Sequence, residues 1–590
     1  MVHVCLSPEE LIDPCTKVVD TLCLVGTAKS FQRDLHWIVT EVMPVATKVA
    51  VDDNQEEKPS KKQKVSDSSS TETTGALLQS LLSPSSSTLQ PSLDNPASTE
   101  LWVPRRQHQQ QQQPHNLLRI VLIVLPELVN VSRHNAPGQP YAISSALKKY
   151  IRPTSGSSTA IVLLCEEAGH IPSTLCAVAR IGGGLLYNRK TTSSVSSSEH
   201  TQQHQHSHSK SPLLLGRIIV SETALPDLNH LRILFPPSVS STMMSTMSID
   251  PHQWQTELGN LALGIQLTRR LVDAPCNELH STAFKEQAFA VVEGLKHVST
   301  YSIEGEELKV QGYGGMYNVG KAAVQPPALV VLSYVPPSVK DEKSVVLVGK
   351  GIVFDTGGLQ IKPKPAQPGM KRDMGGAAAV LSAFGAFARS HKTTKRPVHA
   401  ILCLAENAVA NHALRADDIV TMYSGKTVEI NNTDAEGRLV LGDGVAHAAK
   451  HLNPQVIIDM ATLTGAQGVA TGKFFGALYA NDEQLEQLVV KAGQESGDLC
   501  HPMPYAPEFF KQEFQSAVAD MKNSVADRSN AQVSCAGQFI GNQISDWIRD
   551  GKGQWCHIDM AYPVYDKKDE RATGYGVGLL YTVLENLSQE

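Results

Sequence analysis

The sequence predicts an α/β protein: a small N-terminal α/β domain followed by a larger C-terminal domain whose largely parallel sheet is covered by helices on both faces. Three observations point there. At 590 residues the chain exceeds one ordinary core, so two domains with intervening inserts are expected. From residue 328 onward, short apolar runs alternate with stretches of helical apolar spacing, the pattern of a parallel sheet buried on both sides. Between about residues 52 and 115 the composition turns to Ser, Gln, Pro and Lys, which interrupts the N-terminal part.

The first domain is read as residues 1–250. An apolar segment at 21–26 precedes a helical pattern at 31–40. The insert at about 52–115 cannot bury enough apolar surface to offset its ordering entropy and is expected to be disordered. Its Lys58-Pro59-Ser60-Lys61-Lys62-Gln63-Lys64 run reads as solvated linker charge, with a nuclear-import signal as the other reading. Residues 117–125 form a continuous apolar run of buried-strand type, 144–150 a helix and 160–165 another strand. A second insert at about 190–211 carries His200, His204, His206 and His208, read as polar linker rather than a metal tract. Segments 216–221 and 231–235 look like strands.

The second domain is read as residues 251–590. Leu258, Leu261, Ile265 and Leu271 recur at helical spacing and predict a linking helix over 254–272. Strands are expected at 328–334, 345–348, 399–404 and 456–460, with helices at 377–388 and 439–451. In such sheets, sites form beyond the carboxyl ends of the strands. Lys350, Asp355 and the loop after Asp459 fall there.

The chemistry concentrates in two blocks. In Asp434-Ala435-Glu436-Gly437-Arg438, alternate residues of an extended segment would aim two carboxylates at one point. Capping of the following helix is the competing explanation. Upstream stand Gly349-Lys350-Gly351, Asp355-Thr356-Gly357-Gly358, Lys362 and Met370-Lys371-Arg372-Asp373-Met374-Gly375-Gly376. Asp355, Asp373, Asp434 and Glu436 bring four negative charges, enough to neutralise two divalent cations, and carboxylate oxygens suit zinc, manganese, magnesium or cobalt. Gly349-Lys350-Gly351 is not a phosphate loop, because Ser344 and Gly351 stand where Gly and Ser or Thr are required.

Together these blocks resemble the leucyl aminopeptidase (cytosol aminopeptidase) family of dinuclear metallopeptidases, over roughly residues 254–590, and most closely its animal probable-aminopeptidase branch. The resemblance implies one metal held by Lys350, Asp355, Asp373 and Glu436 and a second by Asp355, Asp434 and Glu436, with Zn²⁺ or Mn²⁺ as the ions. Lysine binds a metal only as the free amine, so Lys350 would have to lose its proton. The resemblance further implies that Lys362 stabilises an oxyanion and that Arg438 holds a bicarbonate acting as base. Met370, Thr462 and Gly465 would line an apolar pocket suited to a Leu- or Met-like first residue. Peptide substrates, a homohexamer and a non-catalytic N-terminal domain are also implied.

Two positions depart from the family pattern. Thr356 stands where Ser is usual, and residues 406–415 replace an Asn-Met-Pro type of loop, which puts the preference for leucine in question. His557 is read as a structural histidine. A formal net charge of −6 gives no electrostatic reason for nucleic acid or an anionic membrane as main partner. The ten cysteines lack metal spacing and, with no secretory signal visible at the start, the protein is expected to be cytoplasmic, with nuclear entry open through the Lys61–Lys64 run. The alternatives are a catalytically weak relative acting as a scaffold or DNA-associated protein, and a phosphoester hydrolase. The complete ligand set, the lack of basic excess and the lack of phosphate-binding arginines around the acidic pair argue against them.

Overall fold

The computed structural model describes residues 2–5, 21–42, 96–104, 117–126, 139–151, 159–165, 170–181, 231–234, 251–390 and 393–589, with single positions between them. The Lys58–Lys64 run, the histidine tract and the strand expected at 216–221 lie outside the described residues.

Strands β1 (Val2–Cys5), β2 (Thr21–Thr27), β3 (Ala97–Pro104), β4 (Leu117–Leu125), β5 (Thr159–Leu164) and β6 (Leu231–Leu234) form one sheet in the order β1-β6-β5-β2-β4-β3. Every pairing is parallel except β3 with β4. Successive residues of β2 face opposite sides. Cys23 and Val25 join one buried cluster, while Leu22 and Leu24 pack with Phe31 of helix α1 (Ala28–Trp37) in another. Cover on both faces is why these strands are apolar throughout.

Strand β3 corrects the expectation that residues 52–115 stay disordered. Ala97–Pro104 pairs antiparallel with β4 along its whole length and forms the edge of the sheet. The polar average of the insert hides a short stretch with Thr99 and Leu101, both half-buried and of types that suit a pleated edge.

Helices α2 (Pro140–Leu147) and α3 (Ile171–Ala179) pack on this sheet, and α4 (Pro251–Asp273) leads into the second unit. Strands follow as β7 (Val298–Glu304), β8 (Ala328–Tyr334), β9 (Ser344–Asp355), β10 (Val398–Asn407), β11 (Ile419–Thr421), β12 (Thr427–Glu429), β13 (Pro454–Ala461), β14 (Gly476–Ala480), β15 (Cys500–Pro502), β16 (Met521–Lys522) and β17 (Gln554–Asp559). Eight of them build a sheet in the order β15-β14-β17-β13-β9-β10-β8-β7, while β11-β12-β16 form a small separate one. The centre, β17-β13-β9-β10, is wholly parallel, and β14, β8 and β7 add antiparallel neighbours. Helices α4 and α5 (Gly375–Arg389) cover one face with Val345 and Leu347, and α6 (Gly437–His451) covers the other with Val346 and Val348.

Strand β9 is longer than its apolar run suggests. The glycines flanking Lys350 do not end it, because ladders on both sides supply the backbone bonds that local propensity does not. Pairing with β13 stops at Gly349–Met460, while pairing with β10 continues to Asp355–Asn407. The carboxyl end of β9 thus runs past its neighbour β13, carrying Lys350 and Asp355 to the carboxyl-terminal edge of the sheet.

Candidate active site

Four segments meet at that edge: the end of β9, the turn before α5, the turn before α6 and the loop after β13. Asp355, Asp373 and Glu436 offer carboxylate oxygens within 4.8 Å of one another, all buried. Lys350 Nζ stands 2.9 Å from Asp373 Oδ2 and 3.0 Å from Glu436 Oε1, and donates to the Thr462 carbonyl at 3.2 Å. Lys362 Nζ is 2.7 Å from Asp355 Oδ2 and also pairs with Asp434 Oδ1. Thr462 Oγ1 donates to Asp373 Oδ1 at 2.9 Å.

The extended geometry expected for Asp434 and Glu436 is not found. Asp434 lies in a turn, its backbone N–H donating to Asn432 Oδ1, and Glu436 has helical dihedrals as the residue before α6. The turn, not a pleat, carries both carboxylates into one cavity, and Asp434 stands outside the three that converge within 4.8 Å. Glu436 makes no side-chain capping bond, so helix capping does not account for it. Its Oε2 is buried without a hydrogen-bond partner. Gly437 is required beside it: a Cβ there would sit 2.5 Å from Lys350 Nζ.

The electrostatics show a site short of positive charge. Burial raises the pKa of Asp373, Asp434 and Glu436, with neighbouring carboxylates adding to it and the lysines opposing. Burial also works against the charge on Lys350, but Asp373, Glu436 and Asp355 outweigh it and hold the ammonium far above its ordinary range. Burial alone therefore does not give the fall in pKa that a lysine ligand needs; a bound cation would supply it. Four carboxylates against two lysines, with one carboxylate oxygen left without a partner, are a donor set that divalent cations fit. Arg438 donates through Nη1 to the Asn523 carbonyl at 3.1 Å, while its Nε is buried without a partner. Burial lowers its pKa to about 10.

All ten residues singled out in the sequence line one cavity of about 1170 Å³: Lys350, Asp355, Lys362, Met370, Asp373, Asp434, Glu436, Arg438, Thr462 and Gly465. His557 is buried in a different role, its Nδ1 2.5 Å from Asp459 Oδ1, whose Oδ2 accepts from Trp555 Nε1.

Positioning residues were not visible in the sequence. Asn407 Nδ2 donates to Asp355 Oδ1 at 2.8 Å and to the Thr433 carbonyl at 3.1 Å. Thr433 in turn donates to the Gly357 carbonyl and receives the Gln360 N–H, tying the two acidic blocks together. Asn523 accepts from the backbone of Asn431 and Asn432 and donates to Asn432 and Ala435, fixing the turn that carries Asp434. Amides and hydroxyls carry no charge pattern, and only the fold reveals what they hold. At Thr356 the hydroxyl bonds the Asn407 carbonyl and the Gly358 N–H, so the extra methyl costs no contact that Ser would make.

Residues 266–581 match the catalytic domain of the cytosol aminopeptidase family, and residues 71–193 match the M17 aminopeptidase N-terminal domain 2. The chain belongs to the cytosol aminopeptidase family. It is 44% identical over 461 residues to the probable aminopeptidase NPEPL1 of Homo sapiens, spanning 78% of this chain and 79% of the relative. It is 47% identical over 329 residues to leucine aminopeptidase 1 of Caenorhabditis elegans, spanning 55% of this chain and 65% of that one. Among solved structures, the leucyl aminopeptidase of Trypanosoma brucei in complex with bestatin superposes with a TM-score of 0.75 at 32% identity, covering 99% of this chain and 95% of that one. The Caenorhabditis elegans leucine aminopeptidase structure gives 0.73 at 32%, covering 100% and 99%. The second domain of the fold, with its mostly parallel sheet, is thus the family's catalytic domain. Among the described residues, no helix is long and apolar enough to cross a membrane.

Proposed function

We propose that the chain is a dinuclear metal-dependent aminopeptidase that removes the N-terminal residue of short peptides, favouring an apolar, Leu- or Met-like one. The observation that carries this reading is the buried convergence of Asp355, Asp373 and Glu436 within 4.8 Å, with Glu436 Oε2 unpartnered. One cation would be held by Lys350, Asp355, Asp373 and Glu436, and the other by Asp355, Asp434 and Glu436, as zinc or manganese. When bound, such cations supply Lewis acidity, lowering the pKa of water and polarising a carbonyl.

The remaining work falls to side chains. Lys362 is kept protonated by Asp355 and Glu436 against the opposing effect of burial, so it can donate to an oxyanion that forms on the substrate carbonyl. Arg438, with Nε free of partners, would hold an anion such as bicarbonate, whose chemistry is that of a general base. Thr462 ties the substrate loop to Asp373 and Lys350, so residues that line the first side-chain pocket share a wall with the acidic cluster. With Met370 and Gly465 it would line the pocket for the first side chain, where an apolar wall would suit Leu or Met. A homohexamer in the cytoplasm is part of the same reading; the eight described cysteines are free, which suits a reducing compartment.

Hydrolysis of leucyl and methionyl reporter amides by the purified chain with added manganese, against a chelated control, tests the proposal. Metal-dependent release is expected. Equal rates in both arms, or none in either, would overturn it.

A further inference from the structure

The cavity holds more positive charge than its acidic end uses. Several wall cations are already committed: Arg180 pairs with Asp498, Lys148 with Asp566, and Arg571 with Asp273. Arg372 is different. It lines the cavity immediately before Asp373 in the chain, is half-buried, and forms no ion pair among the described residues. Its guanidinium carbon lies 4.0 Å over the ring of Tyr565, which also lines the cavity.

The placement is built in. Arg372 closes a single 3₁₀ turn, Met370–Arg372, whose middle residue Lys371 reaches away to bond the carbonyl of Asp273 at the end of α4. Gly369, with φ of 95°, precedes the turn, and a Cβ there would collide with the Arg372 guanidinium. Stacking on one side and a bare backbone on the other fix the planar fork while leaving its N–H groups unused by any ion pair. A planar, pre-ordered guanidinium matches the two oxygens of a carboxylate.

Resting on the aminopeptidase reading above, we propose that Arg372, stacked on Tyr565, is an anion subsite that recognises a carboxylate on the substrate beyond the cleaved bond. Arg372 and the acidic cluster line the same cavity, and an extended peptide advances ~3.3–3.6 Å per residue, so one to three residues past that bond span roughly 3–11 Å of it. Two sources share this chemistry: the C-terminus of a very short peptide and an acidic side chain. The subsite makes the enzyme a selector of short or acidic peptides, in addition to its choice of first residue.

The test is steady-state kinetics of the full-length, manganese-loaded protein on two matched pairs: Leu-Ala against Leu-Ala amide, and Leu-Glu amide against Leu-Gln amide. The wild type is expected to prefer the carboxylate member of at least one pair by about tenfold in kcat/KM, the scale of one charge-assisted hydrogen-bonded contact. The first pair reports the C-terminus and the second the side chain. Arg372→Gln should bring that ratio close to one, and Arg372→Lys, which keeps the charge without the fork, should recover it in part. No preference in either wild-type pair, or an equal loss on both members in Arg372→Gln, would overturn the subsite and leave Arg372 a packing residue. If none of the four peptides is cleaved, the aminopeptidase reading fails instead; calorimetric affinity for Leu-Ala against its amide, wild type against Arg372→Gln, then decides the subsite.

Discussion

Lys350 Nζ and Glu436 Oε1 lie 3.0 Å apart across 86 residues of chain, and the Cβ-free face of Gly437 is what lets them meet. The lysine comes from the carboxyl end of a central strand and the glutamate from the turn that starts α6. The contact therefore reports on the docking of that helix against the sheet.

Gly437→Ala tests this contact. Its Cβ would sit 2.5 Å from Lys350 Nζ, so the lysine or the helix has to move. A stability loss of about 1–3 kcal/mol is expected, the usual cost of overpacking, with a larger proportional loss of activity. Denaturant unfolding and turnover on a leucyl reporter check it; an unchanged variant would show that the turn gives way freely.

Asn407 is predicted to matter through Asp355. Asn407→Ala removes the amide that donates to Asp355 Oδ1 and to the Thr433 carbonyl. Loosening a buried carboxylate beside the proposed metals should weaken metal affinity about 10–100-fold, measured by competition with a chelating indicator. Wild-type affinity in this variant would remove Asn407 from the list of positioning residues.

Much of this site was readable as sequence. Asp434 and Glu436 are marked by their spacing and Asp355 and Asp373 by their charge, whereas Lys350 reads as a ligand only through the resemblance to the family. Asn407, Thr433 and Asn523 do not stand out, because uncharged polar residues are common in loops and their meaning lies in partners far along the chain. Asn407 even falls within residues 406–415, the stretch that looked like a departure from the family. A two-residue spacing suggests a pleat, but a turn at Asp434 and helical dihedrals at Glu436 carry both residues into the cavity instead. Strand β3 is hidden for a related reason: composition averaged over a long insert conceals an edge strand that tertiary pairing stabilises.

That strand gives a third prediction. Deleting residues 97–104 uncovers β4, leaving an apolar edge with an open hydrogen-bonding row. Loss of soluble protein or a lowered Tm is expected, read by size-exclusion chromatography and thermal unfolding. A fully soluble variant with unchanged Tm would show the strand to be dispensable.

The pH dependence of stability has a defined sign. Burial pulls the pKa of His399 and of His447 down from 6.5 to about 4, so both fold as neutral rings. His399 meets Ser333 Oγ, and His447 bridges the hydroxyls of Tyr301 and Tyr313. Between pH 6.5 and 4 the unfolded chain binds more protons than the folded one. These groups therefore support the fold above that window and lose their contribution as pH falls through it, on the order of 3 kcal/mol per ring. Tm measured from pH 4 to 7 should fall toward acid, less steeply in His399→Gln. Identical slopes in variant and wild type would contradict the assignment.

In the proposed function the acidic cluster holds two catalytic metals, while Lys362 serves the reaction without holding them. Metal content per chain, measured by plasma mass spectrometry beside turnover on purified Glu436→Ala and Lys362→Ala, tests it most directly. Glu436→Ala is expected to lose at least one metal and with it activity. Lys362→Ala should keep both metals and lose about 10²-fold or more in kcat, the scale for removing one oxyanion donor. Two metals and full activity in Glu436→Ala, or metal loss in Lys362→Ala, would contradict the account.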